Sequence, residues 1–133
     1  MTVLDASGAI AYLLGWSAAE EVERLISSER ELLAPDILIF EVIAALRRQT
    51  LRDELAESRA QAALADLGDM RLRLFPSLII RERAWELRHN LTAADALYVA
   101  LAERLREPLA SKDGALLAAV ATLDGVSVSV LPL

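Results

Sequence analysis

The feature that most constrains the fold is a regular alternation of short apolar runs with longer segments of helical periodicity. The short runs cover residues 3–4, 32–34, 72–75, 109–111 and 126–130. Strands that alternate with helices are joined by right-handed crossovers, which produce a parallel sheet with helices on both faces. The sequence therefore predicts an α/β fold with a central, mostly parallel sheet of about five short strands.

The helix starts between these strands are marked by residues that cap helices. Ser17 with Glu20 forms a capping box at one of them. Asp36 and Thr92 each stand in the capping position of another. Trp85 falls in an apolar stripe at helical spacing, so we expect it in the core rather than at a base-stacking surface. The predicted helices cover residues 8–14, a segment that starts at 17 with apolar positions 22, 25 and 26, and residues 36–49, 57–67, 77–87, 92–104 and 115–122.

The length and composition indicate one domain in a reducing compartment. The chain has 133 residues with no repeat or linker, so we expect residues 1–133 to form a single domain. The absence of cysteine excludes disulfides and thiolate metal sites, and it fits a cytoplasmic protein. The start of the chain lacks the basic region of a signal peptide, and no apolar stretch approaches the ~20 residues of a membrane span.

The charge balance bears on nucleic-acid binding. The chain carries 20 acidic and 14 basic residues, a net charge of −6, whereas phosphate contacts usually come from a basic surface. Of the basic residues only Lys112 is a lysine, and arginine is the better phosphate ligand. Carboxylates committed to a metal ion would also lower the negative charge that a nucleic acid meets. The charge therefore counts mildly against a nucleic-acid substrate without excluding one.

Glu41 is the most informative single residue, because it interrupts an otherwise apolar helical segment. A helix that is apolar all round is buried, and an unpaired buried carboxylate costs several kcal/mol in effective terms. Glu41 therefore needs an arginine partner, a raised pKa or a bound cation. Its helical neighbours at three and four residues are all apolar, namely Ile37, Leu38, Ala44 and Ala45.

Three aspartates have a purely structural explanation when each is considered alone. Asp5 ends the first predicted strand, where an aspartate often caps the next helix. Asp95 stands three residues after Thr92, in the spacing of a capping box. Asp113 precedes Gly114 in a pair that is common in turns.

Considered together with Glu41, the three aspartates predict a metal site. Two of the four acids lie at the carboxyl ends of predicted strands, where open α/β sheets form their sites. Like charges gathered there require a counter-ion, and oxygen ligands without histidine or cysteine favour Mg²⁺ or Mn²⁺ over zinc. Such a cation polarises a phosphoryl oxygen and activates water, which is the chemistry of phosphodiester hydrolysis.

Four segments closely resemble the PIN-domain ribonucleases of the VapC toxin family. They are VLDAS at residues 3–7, PDILIFEV at 35–42, LTAADALYVALA at 91–102 and SKD at 111–113. Their order and spacing match along essentially the whole chain, and the segment around Asp95 is the most specific of them. The resemblance implies a PIN-like fold and a Mg²⁺- or Mn²⁺-dependent endoribonuclease, with Asp5, Glu41, Asp95 and Asp113 as its metal-binding and catalytic acids.

The resemblance also implies partners and supporting residues. We expect a homodimer, an RNA substrate and a VapB-type antitoxin whose tail covers the acidic crevice. Ser7 and Ser111 occupy positions where the family places small hydroxyl residues beside the acids. Two departures are visible, since Ser111 stands where Thr is more frequent and Ala94 where Tyr is frequent. The second departure alters the rim that would meet RNA.

The remaining polar candidates are weaker. Arg47, Arg48 and Lys112 are possible RNA contacts, although solvated positions explain the arginines equally well. His89 is the only histidine, and its polar neighbours favour a surface position over a catalytic one. Two alternatives to the nuclease remain open. A non-catalytic PIN-like module would keep the fold and lose the metal. A phospho-receiver domain would need an acceptor aspartate after the third strand, and residues 72–76 contain none.

Overall fold

The central element of the computed structural model, which describes residues 1–28 and 31–133, is a sheet of five short strands. In chain order they are β1 (Thr2–Leu4), β2 (Leu32–Pro35), β3 (Leu72–Phe75), β4 (Leu109–Ser111) and β5 (Val130–Pro132). They lie in the order β3-β2-β1-β4-β5, and every neighbouring pair is parallel. The predicted α/β class and parallel sheet are therefore confirmed.

The described residues also form seven α-helices and one short 3-10 helix that connect and cover the strands. None of these helices is long and apolar enough to cross a membrane. The 3-10 helix is Ser77–Ile80, and the α-helices are α1 (Ala6–Leu14), α2 (Ala19–Ser27), α3 (Ile37–Leu51), α4 (Glu57–Asp69), α5 (Arg81–Glu86), α6 (Ala93–Leu105) and α7 (Gly114–Thr122).

The core is aliphatic, as a chain with only 5% aromatic residues requires. The central strands β1 and β4 are completely buried along their length. Each leucine or valine buried there contributes about 1.5–3 kcal/mol relative to exposure. Tyr98 of α6 is the largest fully buried side chain in the described part of the chain. The buried centre of the sheet therefore fixes the positions of the residues that follow β1 and β4.

The strand order determines where a site can form. The chain runs from the central β1 to β2 and β3 on one side, and it then returns to β4 and β5 on the other. The order reverses between β1 and β4, where α/β sheets open a crevice outside the carboxyl ends of the strands. Leu4 pairs with Ala110 across these strands. Asp5, which follows Leu4, and Ser111, which follows Ala110, therefore lie side by side at the carboxyl edge of the sheet.

At two predicted helix starts the expected side-chain capping hydrogen bond does not form. Helix α2 begins after Ala18, which adopts a left-handed backbone with φ 82° and provides no side-chain cap, so Ser17 and Glu20 do not form the predicted box. Asp36 occupies the predicted N-cap position of α3, but its side chain makes no capping hydrogen bond there. Its carboxylate instead accepts hydrogen bonds from the backbone N–H and the hydroxyl of Ser77, 41 residues away. A local capping pattern cannot reveal a partner at that separation.

Two further predictions fail near the surface. Strand β5 begins at Val130, and residues 126–129, which were predicted as strand, lie outside any regular element. Trp85 is 67% exposed rather than in the core. The reason is that α5 has only six residues and buries none of them, so its apolar stripe is too short to pack against the sheet.

Candidate active site

Asp5 forms the most constrained corner of the crevice. It follows β1 and caps α1, where its carboxylate accepts hydrogen bonds from the Ser7 hydroxyl at 2.6 Å and the Gly8 N–H at 3.1 Å. Its second oxygen accepts a hydrogen bond from the Ser111 hydroxyl at the end of β4. Burial raises the pKa of Asp5, although these three donors oppose the shift. These hydrogen bonds hold the Asp5 side chain in one orientation, but they do not fully offset the free-energy cost of burying its charge.

The two serines extend this corner into a network between the ends of β1 and β4. The Ser111 hydroxyl accepts the Asp113 N–H at 2.9 Å, and the Ser7 hydroxyl accepts the Lys112 N–H at 3.1 Å. The two hydroxyl oxygens are 3.4 Å apart. Small hydroxyl side chains suit both positions because each donates to Asp5 and accepts a backbone N–H of the chain that leaves β4.

Asp113 is mounted at the start of α7. One of its carboxylate oxygens accepts the N–H groups of Ala115 at 3.0 Å and Leu116 at 3.1 Å, which makes it the N-cap of that helix. Its side chain is exposed at the rim. Asp113 thus caps a helix rather than forming the simple turn that its pairing with Gly114 suggested, and this cap orients the carboxylate.

Glu41 approaches the crevice from α3, where it is half-buried between apolar neighbours. Its Oε1 atom is buried, and no described residue forms a hydrogen bond with it. The buried hydroxyl of Tyr98 likewise forms no hydrogen bond of standard geometry, although it lies close enough to Glu41 to affect the pKa of that carboxyl. Burial raises the pKa of Glu41, the neighbouring Tyr98 hydroxyl opposes that rise, and the negative charges of Asp5 and Asp95 add to it. The arginine partner that the sequence allowed is not among the described salt bridges.

Asp95 lies in the first turn of α6, opposite the strand ends. Its backbone N–H donates to the Thr92 hydroxyl at 3.2 Å, so the predicted Thr92 cap is confirmed. The Asp95 side chain is half-buried. Burial raises the pKa of this carboxyl, and the negative charges of Asp113 and Asp5 add to the shift.

The four acids lie near enough to one another at the carboxyl edge of the sheet for their charges to influence neighbouring pKa values. Asp5 is influenced by the charge of Asp113, Glu41 by Asp5 and Asp95, and Asp95 by Asp113 and Asp5. Within residues 1–28 and 31–133, however, no three acidic or histidine side chains lie close enough together to hold a metal ion as they stand. The donor set still fits a hard cation. It consists of carboxylate oxygens, and a buried oxygen of Glu41 lacks any described partner.

The remaining predicted residues lie at different distances from the crevice. Lys112 is exposed between Ser111 and Asp113, and its ammonium group is 5.9 Å from the ring of Trp16. Arg47 and Arg48 are exposed six and seven residues after Glu41, which is about 9–10 Å along the axis of α3. They border a separate apolar groove with Phe40 and Ile43. The single histidine, His89, is exposed.

Tyr98 is the residue that the sequence reasoning missed. Burial raises the pKa of its hydroxyl above its ordinary range, and the negative charge of Glu41 raises it further. The phenol therefore stays protonated, and it adds no negative charge beside Glu41 and Asp5. A signal was present in the sequence, because Tyr98 follows Asp95 by three residues and so lies on a neighbouring position of the same helix face.

Comparison with known proteins adds independent information. The family model for the PIN domain matches residues 2–123. Ribonuclease VapC1 of Mycobacterium tuberculosis is 45% identical over 120 residues, which cover 88% of this chain and 89% of that protein. VapC ribonuclease Mb0985 of Mycobacterium bovis is 40% identical over 113 residues, covering 85% and 86% of the two chains.

A solved structure shows the same fold at low sequence identity. The crystal structure of VapBC2 from Rickettsia felis, bound to a DNA fragment from their promoter, contains a chain that superposes with a TM-score of 0.66 at 13% identity. The match covers 98% of this chain and 97% of that one. With a family model that spans most of the sequence and relatives at 40–45% identity, the chain belongs to the PIN-domain family and, within it, to the VapC proteins.

Proposed function

We propose that the protein is a Mg²⁺- or Mn²⁺-dependent endoribonuclease that acts as the toxin of a toxin–antitoxin pair. The observation that carries this proposal is the crevice bordered by Asp5, Glu41, Asp95 and Asp113, in which a buried oxygen of Glu41 has no described partner. An uncompensated carboxylate of this kind is costly in a purely structural role. Its position at the carboxyl edge of a parallel sheet is typical of an active site.

Ribonuclease activity is supported by the relatives. Two VapC proteins that cover more than four-fifths of this chain, at 45% and 40% identity, are named ribonucleases. Hydrolysis of a phosphodiester needs positive charge near the phosphate, yet this chain has a net charge of −6. A divalent cation held by the acids would supply that positive charge at the place where the carboxylates alone would repel RNA.

The four acids would hold the cation between them. When bound, it would polarise the phosphoryl oxygen and lower the pKa of water that attacks the phosphorus. The chain's own residues orient the ligands. Ser7 and Ser111 fix the Asp5 carboxylate from two sides, and the first N–H groups of α7 fix Asp113. The protonated Tyr98 hydroxyl lies beside Glu41 as a neutral neighbour that adds no negative charge.

Cleavage of RNA by antitoxin-free protein tests the proposal. We expect cleavage with Mg²⁺ or Mn²⁺, loss of cleavage in EDTA, and loss of cleavage in Asp95→Asn. Asp66→Asn, which removes an exposed carboxylate from α4, is the matched control and should retain full activity. Full activity in EDTA would contradict the metal mechanism. RNA binding without cleavage under all metal conditions would support the non-catalytic PIN-like module instead.

We propose a VapB-type antitoxin as the protein partner, in the cytoplasm, and a homodimer as the assembly. The Rickettsia felis structure is a VapBC2 assembly on promoter DNA, and this chain shares its fold. An acidic crevice in a chain of net charge −6 suits a partner with a basic tail, because complementary potentials favour docking.

The neighbouring reading frame provides the test of this partner. It should encode a small protein with a C-terminal tail rich in arginine or lysine. Its binding should weaken with salt, which screens exposed charges over ~8–10 Å at moderate ionic strength. Binding that is indifferent to salt would contradict the electrostatic docking. Sedimentation of the protein alone tests the homodimer.

A further inference from the structure

Two buried polar atoms that lack a hydrogen bond lie beside each other under the carboxylate crevice. They are Oε1 of Glu41 and the hydroxyl oxygen of Tyr98, whose side chain is only 1% exposed. Buried polar atoms are almost always hydrogen-bonded, because an unpaired one has lost its hydration and gained nothing in exchange. A carboxylate oxygen is an acceptor and a protonated phenol is a donor, so the two unpaired atoms are complementary.

The two oxygens of Glu41 have different surroundings. Oε1 is buried without a partner, whereas Oε2 is not among the atoms that are buried in this way. None of the side-chain hydrogen bonds or ion pairs between described residues includes Glu41, so Oε2 must be in contact with solvent. One oxygen of the carboxylate therefore points into the protein and the other is open to the crevice.

The Tyr98 hydroxyl lies where three of the segments that carry the acids meet. Tyr98 stands on α6 one turn after Asp95, and its hydroxyl lies beside Glu41 of α3. Burial raises the pKa of this phenol and the charge of Glu41 adds to the rise, while the backbone N–H of Ala6, next to Asp5, lies close enough to oppose it. A phenol accepts one hydrogen bond and donates another, so it is able to connect Ala6 with Glu41.

We propose that Tyr98 is a positioning residue for the cation site. With a cation in the crevice, its hydroxyl accepts the N–H of Ala6 and donates to Oε1 of Glu41, which leaves Oε2 free to bind the cation. The inference rests on the proposed metal-dependent function and adds the residue that orients one of its ligands. Neighbouring hydrogen bonds commonly orient metal ligands, and hydrogen bonds at catalytic sites often tighten only when the site is occupied.

A packing role alone does not explain the hydroxyl. Tyr98 is the largest fully buried side chain among the described residues, so its ring contributes to the core. A phenylalanine in its place would fill nearly the same volume without burying an oxygen that lacks a partner. The experiment must therefore separate the hydroxyl from the ring.

Tyr98→Phe makes that separation. Binding of Mn²⁺ to the purified protein, measured from the EPR signal of the free ion, should weaken about tenfold or more, as it does when partners of metal ligands are lost. The melting temperature in EDTA should stay close to that of the wild type, because the ring remains. Wild-type affinity for Mn²⁺ in Tyr98→Phe would overturn the proposal.

The other tyrosine of the chain provides a matched control. Tyr12 is the only tyrosine besides Tyr98, and its hydroxyl lies near Glu23 and Asp66 instead of the crevice acids. Tyr12→Phe removes the same group and should retain wild-type affinity for Mn²⁺. An equal loss of affinity in Tyr12→Phe and Tyr98→Phe would assign the effect to general loosening of the protein and would also overturn the proposal.

NMR of the wild-type protein gives a readout that needs neither cleavage nor a change at Tyr98. Protein labelled with ¹³Cζ-tyrosine should show two tyrosine resonances, and Tyr12→Phe identifies the one from Tyr98. Saturating Mg²⁺ should shift the Tyr98 resonance, because the Cζ atom responds to the hydrogen bonds of the phenol, and should leave Tyr12 unchanged. A Tyr98 resonance that does not move at saturation would contradict the hydrogen bond.

Cleavage assays distinguish positioning from a general loss of structure. In Tyr98→Phe the Mn²⁺ concentration for half-maximal cleavage should rise by the same factor as the dissociation constant, and saturating Mn²⁺ should restore most of the rate. A rate that falls without any change in its Mn²⁺ dependence would overturn the positioning role.

The wild-type protein separates failure of this inference from failure of the proposed function. If the wild type binds Mn²⁺ and cleaves RNA with it, and Tyr98→Phe does both at the same Mn²⁺ concentrations, the proposed function stands and the positioning role is wrong. If the wild type binds no Mn²⁺ and cleaves RNA equally well in EDTA, the metal mechanism and the positioning role are both wrong.

Discussion

The two sides of the carboxylate crevice are built differently. On the strand side, Asp5 and Asp113 accept hydrogen bonds from Ser7, Ser111 and the first N–H groups of α1 and α7. On the helix side, which consists of Glu41 and Asp95, one buried oxygen of Glu41 has no described partner. The strand side therefore has a structural role in addition to its proposed role in the site, whereas on the helix side the described residues leave an oxygen of Glu41 without a hydrogen bond. The comparison predicts that stability depends mainly on the acids of the strand side, whereas cleavage depends on the acids of both sides.

The largest expected effect is on cleavage, where both sides should be required. Asp5→Asn and Glu41→Gln should each reduce RNA cleavage by at least about a hundredfold, the upper range for losing groups that only support a metal ligand. Cleavage rates at fixed Mg²⁺ measure the effect. His89→Ala is the control and should retain its rate, because His89 is exposed outside the crevice. A normal rate of cleavage in Glu41→Gln would show that Glu41 has no catalytic role.

The next effect is on folding, where the two sides should differ. Asp5→Ala removes the cap of α1 and leaves the buried Ser111 hydroxyl without its acceptor, which should cost about 2–4 kcal/mol. Glu41→Gln keeps the shape and removes an uncompensated charge, so its stability should lie within about 1 kcal/mol of wild type or above it. Denaturant unfolding in EDTA compares the two. Equal destabilisation would mean that Glu41 has a structural partner in solution.

A smaller effect concerns pH. Burial and neighbouring charge raise the pKa of both Glu41 and Asp95 above their ordinary values of 4.5 and 3.8. A raised carboxyl pKa means that the folded state binds the proton more tightly than the unfolded state, so the metal-free protein gains stability as pH falls from 7 toward 5. Because water screens these half-buried groups, the gain should be on the order of 1 kcal/mol or less.

Thermal melts of the metal-free protein at several pH values measure this gain. Glu41→Gln should reduce the pH dependence, and Mg²⁺ should flatten it by supplying positive charge. Asp66→Asn should leave the curve unchanged, since that carboxylate is exposed on α4. Stability that falls steadily from pH 7 to 5 would contradict the raised pKa values.

The smallest effect distinguishes the cations near the strand side from those farther along α3. Lys112→Gln should weaken RNA binding a few-fold and lower the salt slope by about 0.7, as expected for one lost phosphate contact on a single strand. Arg47→Gln removes the same charge about 9 Å along α3 from Glu41 and should change neither value. Binding titrations in EDTA at several salt concentrations measure both. Equal slopes for the two variants would assign the effect to net charge alone.

Much of the candidate site could be proposed from the sequence because its residues occupy local positions with recognisable patterns. The alternation of apolar runs and helical periods identified the parallel sheet, and the ends of two strands located Asp5 and Asp113. The capping explanation of Asp5 was also correct, and Asp113, which was explained as part of a turn, caps a helix as well. Local caps and the proposed site coincide here because the start of a helix after a parallel strand lies at the carboxyl edge of the sheet.

The sequence by itself determined the fold class and the family resemblance, and it singled out the four candidate acids, because these depend on periodicity and spacing along the chain. Only the tertiary structure decided which contacts connect distant segments. Ser111 reaches Asp5 across 106 residues, and Asp36 bonds Ser77 instead of capping α3. Trp85 is exposed on the six-residue helix α5, and Tyr98 of α6 lies beside Glu41 of α3. Such outcomes depend on packing between elements, which a single chain's local pattern does not encode.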